Sequence, residues 1–182
     1  MFFEEVVMRK IVLYVAMSLD GYLAGENGEL DWLDKYNDTQ VMEEMEKFTQ
    51  RIDTVIMGKK TFKQIIEEIS PDAWPYVGKK CLLLTRDLSF KDEKVEVLHE
   101  LSKAYIDALK SMDGDDIFLV GGGETIGSFL EKDLIDEYII TVVPEILGRG
   151  IPLFGEKGTS RELKMENVSR MGDLVTVTYT RK

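Results

Sequence analysis

The sequence predicts an α/β fold: a mainly parallel sheet covered by helices on both faces, with an antiparallel hairpin at its C-terminal end. Short β-branched runs alternate with amphipathic stretches along most of the chain, the pattern of strand–helix–strand units. Glycines follow several of these runs directly. The tail breaks the pattern, because Lys164 to Arg170 and Leu174 to Thr180 alternate in polarity around Met171-Gly172-Asp173.

Taken in order, Ile11-Val12-Leu13-Tyr14-Val15-Ala16 reads as a buried first strand. The chain then enters a long loop through Ser18, Gly21, Gly25 and Gly28 to Asp31-Trp32. Its length and glycines suit a lid over a site, with Asp20-Gly21 making the first bend. Asp38 to Ile52 forms a helix capped by Asn37 or Asp38, with Val41, Met45, Phe48 and Ile52 at helical spacing. Thr54 to Met57 is a second strand, Thr61 to Ile69 a helix ending before Pro71, Cys81 to Thr85 a third strand and Val95 to Leu98 a fourth. Ala104 to Met112 is helical, Ile117 to Val120 a strand running into glycines, Thr125 to Glu131 a helix and Glu137 to Val142 a strand.

At 182 residues the chain is expected to be one domain over residues 9–182, with residues 1–8 a short extension. No apolar run approaches the roughly 20 residues of a membrane helix, and the first residues lack a basic, cleavable leader, so a cytoplasmic protein with no membrane partner is expected. The net charge of −11 argues against nucleic acid as a partner. Cys81 and His99 are the only residues of their kinds. They exclude an intramolecular disulfide and a Cys/His zinc site, and no metal is expected. A hydrolase built on His99 is a poor reading, since no G-x-S-x-G element accompanies it.

Three segments carry chemistry. Gly121-Gly122-Gly123-Glu124-Thr125 joins a strand to a helix, where glycines allow close backbone approach and free amides suit a phosphate. Met57-Gly58-Lys59-Lys60-Thr61 repeats the design after the second strand, and Thr85-Arg86 ends the third with a hydroxyl and a guanidinium. Singly, each could be a solvated loop. Together they put anion-binding groups at three strand ends of an acidic chain, a spread that a pyrophosphate with an extra ribose phosphate would need.

These segments, with the Ser18-x-Asp20-Gly21 loop and Gly148-Arg149-Gly150-Ile151-Pro152-Leu153-Phe154, resemble the dihydrofolate-reductase-like superfamily in kind and order. More closely, the chain is similar to the reductase domain of the bifunctional riboflavin-biosynthesis deaminase-reductase and its stand-alone relatives. The resemblance implies a three-layer α/β/α reductase using NADPH, of a type that is often a homodimer. It implies that the backbone of Ala16 and Met17 lines the nicotinamide. Gly58, Lys59, Lys60 and Thr61 would hold the pyrophosphate and adenosine end, with Thr85 and Arg86 near the ribose phosphate. Gly121, Gly122, Gly123, Thr125 and Ile126 would close over the pyrophosphate. Glu44 and Phe48 have the spacing of the carboxylate and phenylalanine that hold a pterin. Asp20 and Glu44 are the catalytic candidates, Trp32 and Phe48 the substrate contacts. Two departures bear on the substrate: the deaminase domain is missing, and a glutamate that tends to contact the substrate's sugar falls at Gly121. The expected substrate is therefore a small heterocycle, pterin-like or related. The alternatives are the ribosylamino-pyrimidine of riboflavin synthesis and a nucleotide-binding module without catalysis.

Overall fold

The computed structural model describes residues 8–155 and 159–182. Apart from Met8, the expected N-terminal extension lies outside the described residues. The chain runs β1 (Ile11–Ser18), β2 (Tyr22–Ala24), a 3-10 helix (Asp31–Tyr36), α1 (Thr39–Gln50), β3 (Ile52–Gly58) and α2 (Lys59–Gln64), which continues as a π-helical turn (Ile65–Ile69). Then follow β4 (Lys80–Leu84), β5 (Glu96–Leu98), α3 (Lys103–Lys110), β6 (Asp116–Gly121), α4 (Gly123–Glu131), β7 (Glu137–Val143), β8 (Ile151–Pro152), β9 (Leu163–Met171) and β10 (Leu174–Arg181).

Eight strands form one sheet in the order β5-β4-β3-β6-β1-β7-β10-β9. From β5 to β7 neighbours are parallel, and β10 pairs antiparallel with both β7 and β9. Strand alternation divides the core between the two faces. Ile11 and Leu13 face α3 and α4, packing with Ile106, Leu109, Ile126 and Phe129. Val12 faces the other way, toward Phe48 of α1 and Phe62 of α2. The architecture is thus the expected three-layer one. No helix among the described residues is long and apolar enough to cross a membrane.

Some boundaries differ from expectation. Helix α1 stops at Gln50 because the Arg51 amide turns back to the Phe48 and Thr49 carbonyls, and Ile52 instead pairs with Asp116 in the sheet. Helices α2 and α4 each begin two residues early, at Lys59 and Gly123, directly against their strands. The small β2–β8 ribbon was not expected, and it ties the first loop to the loop after β7.

At the N-terminal edge of the sheet, charges lock the strands together. Buried Arg9 bridges Asp53, the Thr54 hydroxyl and the Asp115 carbonyl. Arg51 joins Asp116 to Glu137, which Lys10 also reaches, while Lys110 and Arg181 share Asp136. The opposite edge, at the strand carboxyl ends, carries the candidate site.

Candidate active site

Strands β3 and β6 are neighbours, and each passes into a helix through glycine. Gly58 and Gly122 are the N-caps of α2 and α4, and neither helix receives a side-chain cap. Helices α1 and α3, by contrast, are capped by Asp38 and Ser102. The first-turn amides of α2 and α4 therefore have no capping side chain, and helix starts of this kind favour anions. Two hydroxyls converge there. A Cβ on Gly58 would stand 2.5 Å from Thr125 Oγ1, and one on Gly122 would stand 3.3 Å from Thr61 Oγ1. Gly121 has φ +116°, which a side chain rarely tolerates. Gly123 is crossed by the Pro152 carbonyl, 2.8 Å from where its Cβ would lie. Ile126 is fully buried, its amide taken by the Gly122 carbonyl at 3.0 Å, so it supports the turn from beneath.

The basic residues divide. Lys59 is held by Asp87 at 2.5 Å, with its ammonium 5.1 Å from the centre of the Phe90 ring. Lys59 and Ser89 hold the Asp87 carboxyl well below the usual carboxylate range. Lys60 points into solvent, 3.4 Å from an equally exposed Glu124. Thr85 Oγ1 accepts the Asp87 amide at 3.2 Å, and the Thr85 carbonyl lies 3.2 Å from His99 Nδ1. Arg86 is exposed and makes no hydrogen bond or ion pair with the described residues.

On the α1 side, Ala16, Trp32, Leu33 and Val41 each pack against the cluster of Val143, Met171 and Leu174, while Met17 faces the opposite core. The Trp32 indole N–H is buried without a partner among the described residues. Phe48 is only 6% exposed, its ring edge-on to Tyr14 at 4.6 Å and to Phe118 at 5.0 Å. It is a core residue flooring the region rather than an open face. Glu44 is half-exposed and paired with Lys47 at 2.6 Å. Asp20 accepts from the Ser18 hydroxyl at 2.7 Å and from the Leu147 and Gly148 amides at 3.1 and 2.7 Å, which lower its pKa. That carboxylate clamps the loop after β1 to the loop after β7. The structure thus gathers Gly58, Thr61, the three glycines and Thr125, sets Thr85 and Arg86 just past the end of β4, and bonds Asp20 to the Leu147 and Gly148 amides and Glu44 to Lys47. Tyr14 is a residue the motifs did not single out. Its signal was its place two residues before Ala16, on the same face of β1.

The RibD C-terminal domain family matches the chain over residues 78–177. The chain belongs to this family. Relatives in Bacillus subtilis extend the likeness over nearly the whole length: the uncharacterized protein YwjB is 38% identical over 174 residues, covering 95% of this chain and 98% of the relative. The uncharacterized protein YyaP is 32% identical over 168 residues, covering 87% of each. Among solved structures, a putative riboflavin biosynthesis protein from Shewanella sp. PV-4 shares 32% identity with a TM-score of 0.79, over 95% of this chain and 99% of that one. The Thermotoga maritima diaminohydroxyphosphoribosylaminopyrimidine deaminase/5-amino-6-(5-phosphoribosylamino)uracil reductase is 15% identical with a TM-score of 0.68, over 96% of this chain and 57% of that one. Enterococcus faecalis dihydrofolate reductase, complexed with NADP(H), is 18% identical with a TM-score of 0.66, over 94% and 96% of the two chains. These last two place the RibD C-terminal domain fold of this chain within the dihydrofolate-reductase-like architecture.

Proposed function

We propose that this RibD C-terminal domain chain is an NADPH-dependent reductase of a small heterocyclic substrate, pterin-like or related. The observation that carries the reading is the pair of uncapped, glycine-started helices on adjacent strands, with the Thr61 and Thr125 hydroxyls between them. A dinucleotide pyrophosphate fits such a cradle, and the glycines leave room for it where side chains would intrude. Gly58, Thr61, Gly121, Gly122, Gly123 and Thr125 would hold the pyrophosphate. Arg86, without a hydrogen bond or ion pair to the described residues, and Lys60 would meet the ribose phosphate. Lys59 would act through Asp87, by shaping the adenosine end. The backbone at Ala16 and Met17 would border the nicotinamide, whose chemistry is hydride donation. The family and the NADP(H)-bound neighbour support this reading.

The substrate side favours a flat ring. Trp32, in the same cluster as Ala16, offers a buried N–H without a partner among the described residues, and Tyr14 an aromatic edge. Gly121 offers no side chain for a sugar. A second reading, reduction of a ribosylamino-pyrimidine, is favoured by the likeness to the putative riboflavin biosynthesis protein. Steady-state NADPH oxidation with dihydropterin, dihydrofolate and the ribosylamino-pyrimidine, under one set of conditions, separates them. A higher kcat/KM for the simple rings is expected. A higher value for the ribosylamino-pyrimidine would return the protein to the riboflavin branch.

A further inference from the structure

Among the groups around this site, the Tyr14 hydroxyl has no task in the reading above. Tyr14 stands on β1 about 7 Å along the strand from Ala16, with both side chains on the face that α1 covers. Helix α1 turns Val41, Glu44 and Phe48 toward that face, one turn apart. Val41 packs in the cluster of Ala16 and Trp32, and Phe48 meets the Tyr14 ring edge-on with centroids 4.6 Å apart. Glu44 lies between them, close enough for its charge to act on the phenol. Burial first and that carboxylate second raise the Tyr14 pKa. The ring is anchored, yet the hydroxyl makes no hydrogen bond to the described residues and is not one of their buried unpartnered atoms. It is therefore reached by solvent.

The other candidates for a proton donor are engaged. The Asp20 carboxylate accepts three hydrogen bonds, Glu44 is paired with Lys47, and His99 sits beyond β4 against the Thr85 carbonyl. The indole N–H of Trp32 can orient a ligand but does not release a proton.

We propose that Tyr14 is the general acid of this reductase, giving its hydroxyl proton to the nitrogen of the C=N bond being reduced. The proposal rests on the reductase reading. In the step, the reduced nicotinamide gives up a hydride, which forms the new C–H bond with its electron pair. The C=N π bond breaks, the Tyr14 O–H bond breaks, and the proton forms the N–H bond. The nicotinamide is oxidised, the substrate reduced, and the tyrosinate regains a proton from solvent.

The test compares the wild type with Tyr14→Phe, which keeps the ring among Phe48 and Phe118. Single-turnover NADPH oxidation is followed in H2O and in D2O with dihydropterin, dihydrofolate and the ribosylamino-pyrimidine. NADPH affinity by fluorescence and the melting temperature are measured on both proteins. Expected is a fall in the hydride step on the order of 100-fold or more, with NADPH affinity and melting temperature unchanged. A solvent isotope effect should be present in the wild type and absent in the variant. A smaller fall overturns the proposal, as does a loss of NADPH affinity, which would make Tyr14 a packing residue. Should the variant fail to fold, the wild type decides, because a hydride step without a solvent isotope effect overturns the proposal. A wild type that oxidises no NADPH with any substrate overturns the reductase reading and the proposal together. Turnover left intact by Tyr14→Phe overturns the proposal alone.

Discussion

At Gly122 the backbone runs against the Thr61 hydroxyl with φ −75°, an angle that any residue can adopt. Valine there would keep the backbone but fill the space over Thr61 where a phosphate would sit. Gly122→Val should abolish NADPH binding, read by fluorescence, while the protein melts cooperatively near the wild-type temperature. Arg86 is an exposed guanidinium with no hydrogen bond or ion pair to the described residues. Its contact with a ribose phosphate would contribute about 1.5–3 kcal/mol, roughly 10- to 100-fold in affinity. Arg86→Ala should remove that preference for NADPH over NADH in a paired titration of both cofactors. These glycines and cations were legible in the sequence because each sits in a short motif at a strand end. What was not legible is how each cation is spent. Lys59 and Asp87 meet across the sheet edge, and nothing near Lys59 in the chain announces its partner. Phe48 at helical spacing from Glu44 suggested a ligand contact, yet the spacing is equally that of a core residue, which its burial makes it.

Among the elements, the loop after β1 is the least legible part. The β2–β8 ribbon pairs segments of three and two residues, too short for a periodic signal. Asp20 holds it from one end through the Leu147 and Gly148 amides. Asp20→Ala should raise hydrogen exchange at those two amides by roughly tenfold or more and raise KM for substrate, while leaving exchange in β1 and β6 unchanged. Unchanged protection at Leu147 and Gly148 would contradict a clamp. Because the Asp20 pKa is lowered in the folded protein, the clamp is fully present above the usual carboxylate pKa of about 3.9 and is lost as pH falls through the folded value. The helices and the hairpin were legible because their periods are local. Their starts were not, because glycine caps let α2 and α4 begin without a loop.

For the whole molecule, the two ends of the sheet have different jobs. The N-terminal edge is cross-linked by charges far apart in sequence, while the C-terminal edge leaves its helix starts open. Arg9 is buried and donates to Asp53, Thr54 and the Asp115 carbonyl. Arg9→Ala should cost about 3 kcal/mol and lower Tm by roughly 10 °C, with NADPH affinity unchanged at a temperature where the variant is folded. Burial works to raise the Glu137 carboxyl, but Arg51 and Lys10 outweigh it and its pKa is lowered. The carboxyls of Asp87 and Glu145 are lowered as well. Stability from these groups is complete above the unfolded carboxyl range of about 4 and declines as pH falls through their folded values. Tm should therefore be flat from pH 6 to 8 and drop steeply below about pH 4. The fold class was legible at this scale because strand and helix patterns alternate along the chain. The charge lattice was not, since its partners come from opposite ends of the sequence. Cofactor binding at the α2 and α4 starts is measured most directly by a fluorescence titration of the wild type with NADPH and NADH. Saturable binding of both, with NADPH tighter by roughly 10- to 100-fold, is the expected result; equal affinities, or no binding of either, would contradict it.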